Sequence, residues 1–177
     1  MERDSGGLVF ENSGSSLELW VTKDPRAAAN FAARMPRREL PALLAGIGTT
    51  WIPRDAEGAI DWAAGLPADS PAHPEALKQF AYLWAKRNVP AALRRLEALP
   101  TGAGKTGAAE GLAFSLFDRQ PEVALTWTRA IPDAKHRLDV LRRSWTRWLG
   151  NDSEAAQRWL RNATALTPEE RNSLGGH

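Results

Sequence analysis

The chain has 177 residues, 43% hydrophobic and 25% charged, the composition of one globular domain rather than of a disordered or fibrous chain. Its 23 basic and 21 acidic residues leave a formal charge of +2, a balance that neither demands nor excludes a polyanionic partner. It contains no Cys, which excludes disulfides and thiolate metal sites, and no stretch approaches the ~20 apolar residues of a membrane helix.

Met1-Glu2-Arg3-Asp4-Ser5-Gly6-Gly7 lacks the basic start and apolar run of a secretory leader, so a cytoplasmic protein is expected. Residues 1–14 are rich in Gly and Ser and read as a flexible segment ahead of a single domain over 15–174. Leu17-Glu18-Leu19-Trp20 reads as the tail of a helix, with a short strand as the competing reading. Helix hairpins are then predicted at 24–53, 55–88, 88–119 and 120–150, followed by a helix at 152–163. Thr167-Pro168-Glu169-Glu170 is a capping box with proline at the first helical position, and it predicts a short capping helix over 168–174. Gly175-Gly176-His177 reads as a flexible tail.

The hairpins are copies of one pattern. Anchors stand at Asp24, Asp55, Asn88, Gln120 and Asp152, spaced 31, 33, 32 and 32 residues apart. Four residues after each anchor comes Ala28, Ala59, Ala92, Ala124 or Ala156, and seven after it Phe31, Trp62, Arg95, Trp127 or Trp159. Four residues before each anchor stands Trp20, Trp51, Trp84, Leu116 or Trp148. Offsets of four, seven, eight and eleven share one face of an α-helix, so the small residue lets a neighbour approach and the ring fills the space beyond it. Asp24-Pro25 marks a start by an N-cap and a proline, and Leu66-Pro67 marks a stop, because the residue before proline leaves the α region. Each unit is thus a short A helix and a longer B helix joined by a short linker, which makes antiparallel neighbours. In the third unit two registers fit: Arg95 takes the ring position counted from Asn88, and Leu96 takes it counted from Pro90. Seven of the eight Trp occupy the two repeated ring positions and read as core; Trp145 alone does not.

The recurring Ala, then Trp, then Leu-Pro, with a partner helix, resembles the helix-hairpin arrays of the tetratricopeptide-like (TPR-like) α-solenoid group. The resemblance covers roughly 150 of the 177 residues. The period is near 32 rather than ~34, and the Trp-x-x-Leu-Gly-x-x-Tyr signature is absent. The fold that the resemblance implies is all-α: four to five antiparallel hairpins in a right-handed superhelix with the A helices lining its concave face.

Motifs for chemistry are sparse. Gly104-Lys105-Thr106 matches the end of a phosphate-binding loop, but Leu99 stands where the first Gly of the long form belongs, and the preceding Ala91–Leu96 reads as helix rather than strand. The turn over Thr101–Thr106 is therefore read as an inter-helix linker, with nucleotide binding as a third hypothesis. His73, His136 and His177 have no metal-ligand spacing, so neither metal nor cofactor is expected, and no catalytic set is assigned.

In a repeat array the core positions serve stacking and a partner meets the rest. At offset six of the A helices stand Asn30, Asp61, Arg94, Thr126 and Arg158, flanked by Arg129 and Arg161 at offset nine. This polar row is the predicted partner face. The expectation is a non-enzymatic scaffold that binds a protein or peptide, alone or within a larger complex. The alternative is nucleic-acid binding by the basic C-terminal half, where Lys135, Arg137, Arg142, Arg143 and Arg147 form the candidate anion patch.

Overall fold

The computed structural model describes residues 19–175. The segment read as flexible at 1–14, Leu17-Glu18, and Gly176-His177 of the tail lie outside the described residues. Among the described residues every regular element is a helix. Residues 19–23 are helical, not strand. After them come α1 (Pro25–Ala32), α2 (Leu40–Trp51), α3 (Ala56–Ala64), α4 (Ala72–Arg87) and α5 (Val89–Glu97). The chain continues through α6 (Ala103–Leu116), α7 (Pro121–Arg129), α8 (Ala134–Asn151), α9 (Ser153–Asn162) and α10 (Pro168–Ser173). No helix among the described residues is long and apolar enough to cross a membrane.

One local geometry starts each A helix. The side chains of Asp24, Asp55, Asn88 and Asp152 accept from the backbone N–H three residues on, at 2.9, 2.8, 3.1 and 3.0 Å. Their backbones agree closely, with φ between −154° and −147° and ψ between 79° and 88°. Gln120 nearly shares that conformation (φ −140°, ψ 64°) but makes no side-chain cap, as its longer side chain would lead one to expect. Each of these five residues also closes the preceding helix. Their N–H groups donate to the carbonyls of Trp20, Trp51, Trp84, Leu116 and Trp148 at 2.7–2.9 Å. At Asp24, Asn88 and Asp152 a single residue thus ends one helix and begins the next, whereas a three-residue turn precedes Asp55 and Gln120.

This geometry settles the register of the third unit. Asn88 is the N-cap of α5, so Arg95 holds the ring position, and Pro90 lies one place later in its helix than Pro25 and Pro121 do in theirs. The apolar volume is supplied instead by the adjacent Leu96, which is fully buried.

The B helices pack in succession, α2 on α4, α4 on α6 and α6 on α8, while the A helices lie against B helices. All the well-packed pairs are neighbours or next-neighbours along the chain. The alanines at offset four (Ala28, Ala59, Ala92, Ala124 and Ala156) are all 0% exposed. Trp51, Trp62, Trp84, Trp127 and Trp148 are buried. Trp145, outside the repeated positions, is buried too, packed edge-on to Trp148 at 5.9 Å. The exceptions are in the first and last units: Trp159 is half-buried, and Trp20 is 38% and Phe31 47% exposed, stacked on each other at 5.5 Å with no further described element outside them.

The α4–α6 crossing is the tightest. A Cβ placed on Gly107 would stand 2.1 Å from the carbonyl oxygen of Pro74, and one on Gly111 would stand 2.2 Å from that of Lys78. Only glycine permits that approach of one helix backbone to another.

Candidate interaction surface

The polar row of the A helices is built on the geometry just described, and part of it is used between units. The Trp62 indole N–H donates to Asn30 Oδ1 at 2.8 Å. The Arg95 guanidinium, in the same position one unit on, donates to the Asp61 carboxylate. The Trp159 indole N–H donates to Glu122 Oε1 at 3.2 Å. In three units the ring position therefore has two functions: the side chains of Trp62, Arg95 and Trp159 pack and also reach back with an N–H to a polar side chain of the preceding A helix, a bond that Trp127 does not make among the described residues. Arg95 looks like a mismatch by hydropathy but matches Trp by donor geometry. Asn30→Leu leaves the Trp62 N–H, largely sheltered from water, without its acceptor and should lower stability by about 1–2 kcal/mol; urea melts of the two proteins test this.

Arg129 leaves the row in a different way. Its Nε donates to Glu170 Oε1 at 2.9 Å, tying α7 to α10. Glu170 is 7% exposed and completes the capping box, accepting from the Thr167 N–H at 2.9 Å. The hydrogen bond from Arg129 holds the Glu170 carboxyl below its usual range against the opposing effect of burial, with Thr167 adding to the lowering. The same contact raises the Arg129 guanidinium. Because the folded pKa is depressed, this stabilisation is present above the unfolded glutamate value of about 4.3 and is lost as the pH falls through the folded value. Glu170→Gln should lower stability by about 1–2 kcal/mol at neutral pH, the exposed guanidinium keeping the effect modest, and the deficit should close in acid. Denaturant melts at neutral and acidic pH measure both effects.

The other predicted residues are differently placed. Thr126 Oγ1 donates to the Glu122 carbonyl of its own helix at 3.0 Å, and Arg158 pairs with Glu154 at 2.7 Å. Arg94 and Arg161 are exposed and have no ion pair or side-chain hydrogen bond among the described residues. The structure thus uses Asn30, Asp61 and Arg129 between helices, and leaves Arg94 and Arg161 presenting their charge.

The basic patch is similarly divided. Arg137 donates to the Ile131 carbonyl at 2.8 Å beyond the end of α7. Arg143 pairs with Asp139 at 2.9 Å and lies over the Phe114 ring at 5.2 Å. Arg147 donates to the Tyr82 hydroxyl at 2.8 Å and lies over its ring at 5.3 Å, while Lys86 approaches the same ring at 5.2 Å. Burial alone would raise the Tyr82 pKa, but the hydrogen bonds and charges of Arg147 and Lys86 outweigh it and leave the hydroxyl below its ordinary value. Lys135 and Arg142 are exposed and carry no ion pair among the described residues.

The Gly104-Lys105-Thr106 motif lies in the first turn of α6 rather than in a linker; only the residues before Ala103 form the turn. Lys105 Nζ donates to the carbonyls of Glu97 and Leu99 at 2.9 and 3.3 Å, closing the end of α5. Gly104 is small for packing, since a Cβ there would stand 2.5 Å from His73 Nε2. Among the described residues no three His, Asp or Glu side chains gather as a metal site requires.

The chain matches no protein-family model, no curated protein and no solved structure.

Proposed function

We propose that this chain is a non-enzymatic, cytoplasmic helical-repeat scaffold of the TPR-like solenoid kind, its hairpins wound as a right-handed superhelix, and that it binds a protein or peptide through the A-helix face. The observation that carries this reading is the recurrence of one N-cap geometry at the successive A-helix starts, together with packing confined to near neighbours. On this reading the row divides into residues that hold units together and residues that meet the partner, and Arg94 and Arg161 belong to the second group with Thr126 and Arg158. The test is co-purification from the native host, followed by reconstitution with the purified partner. Arg94→Glu should weaken the reconstituted complex about tenfold while leaving helicity unchanged. Binding indifferent to Arg94→Glu and to Thr126→Arg would reject the face.

A second reading draws on the two guanidinium–ring pairs, Arg143 on Phe114 and Arg147 on Tyr82, which interleave cations with aromatic side chains on one surface. Such surfaces suit single-stranded nucleic acid. Electrophoretic shift at low and high salt decides it, and the absence of a shift at low salt removes this reading.

A further inference from the structure

The last unit differs from the others in the helix that succeeds its A helix. α1, α3 and α7 are each packed by the next B helix along the chain, of 12, 16 and 18 residues, while α5 packs on the preceding α4 and is followed by a B helix of 14 residues. α9 is succeeded by α10, which has only six residues and packs on α8. The position that a full B helix would fill is therefore only partly occupied. There remains a groove of about 490 Å³ lined chiefly by Trp145 and Leu149 of α8, Leu160 and Arg161 of α9, and Arg171 and Leu174 near α10.

The groove has a definite charge. Its lining includes two arginines and no carboxylate. Arg171 donates to the backbone carbonyls of Leu160 (2.6 Å) and Ala163, which orient the guanidinium without neutralising it. Arg161 is exposed and has no ion pair among the described residues. Of the nearby acids, Glu170 is engaged with Arg129 and Glu154 with Arg158, while Glu169 is exposed and does not line the groove. A lining divided about equally between apolar and polar surface, with two arginines and no carboxylate, fits an amphipathic ligand that carries negative charge.

We infer that this groove binds an acidic amphipathic helix of a partner protein. The helix lies where a B helix would lie, its apolar face on Trp145, Leu149, Leu160 and Leu174 and its carboxylates toward Arg161 and Arg171. This is the helix-in-groove mode of recognition. A second copy of the chain is disfavoured as the occupant. Its exposed apolar cluster, Leu19, Trp20 and Phe31, carries Lys23 and Arg26 on the adjoining turns and would bring like charge to Arg161.

The proposal concerns the end groove, which shares Arg161 with the A-helix face but not Arg94, so Arg94→Glu tells the two apart. The probe is a fluorescein-labelled designed helix of about fifteen residues, with Leu at i, i+3, i+4 and i+7 and Glu on the flanks, and a twin with Lys in place of each Glu. Anisotropy titration against the full chain should give the Glu peptide about tenfold tighter binding than the Lys peptide. Arg161→Glu should abolish that preference, whereas Arg94→Glu should leave it intact. Equal affinity for the two peptides, or a preference that survives Arg161→Glu, overturns the proposal. Sensitivity to Arg94→Glu alone also overturns it, and moves the binding to the A-helix face. Sedimentation showing concentration-dependent dimers that Arg161→Glu disrupts would make a second copy the occupant and overturn it too.

Discussion

Alanine in place of Gly107 is expected to destabilise the protein by about 3 kcal/mol, the upper end of overpacking costs. Intrinsic helix propensity works the other way, favouring alanine over glycine by about 1 kcal/mol inside a helix. The clash should prevail because neither side of it can yield. The added Cβ would stand 2.1 Å from the Pro74 carbonyl oxygen and 2.8 Å from its carbon, and both belong to the backbone of α4. Relief requires moving one helix off the other. Gly46 and Gly150 are the controls, since nothing lies within 4 Å of a Cβ placed on either. Alanine at those two positions should stabilise by about 0.5–1 kcal/mol. Urea melts followed by Trp fluorescence give all three values. A Gly107→Ala protein as stable as Gly150→Ala would mean that α4 and α6 are not in backbone contact.

The second large effect is expected at Phe80. Its ring is fully buried and lies 6.1 Å from the ring of Trp51 and 6.0 Å from that of Trp62, so it joins α2, α3 and α4. Phe80→Ala removes that contact and leaves a cavity among large rings that cannot close over it, at a cost of about 3–5 kcal/mol. Phe31→Ala truncates the same side chain at a position that is 47% exposed. It should cost about 1 kcal/mol or less, because little burial is lost and water fills the gap. Comparable losses at the two sites would contradict the exposure of the first unit.

These two sites also show which features were legible in the amino-acid order and which were not. The helix starts were legible because an N-cap is local: Asp24 and Ala27 sit three residues apart, and the side chain that makes the cap is written beside the proline that comes after it. The alanine stripe was legible because helical periodicity is local too. Gly104 and Gly107 were not. Within a few residues of sequence Gly104-Lys105-Thr106 has the chemistry of a phosphate loop, and what separates it from one is the distance to His73 and to the end of α5. Arg95 was opaque for the same reason, since its acceptor is Asp61, 34 residues earlier. The candidate face was legible as a row of polar residues. Which of them are already engaged by a neighbouring unit depends on contacts about a repeat apart, as between Asn30 and Trp62. The end groove had no signal beyond the brevity of the last helix, because a vacant seat is defined by its walls.

The dense crossing of α4 on α6 has a consequence for how the molecule opens. Among the described residues its well-packed helix pairs are all near neighbours in the chain, and longer links such as Arg147 to Tyr82 are single side-chain contacts, so α1 and α9 can open without the middle. Amide protons of α4 and α6 should exchange with solvent only through the rarest fluctuations. Those of α1 and α9 escape through local, far cheaper openings. The glycines that bring two helices into contact thereby set a gradient of protection along the chain, with its rigid point at the centre and its most readily remodelled surfaces at the termini.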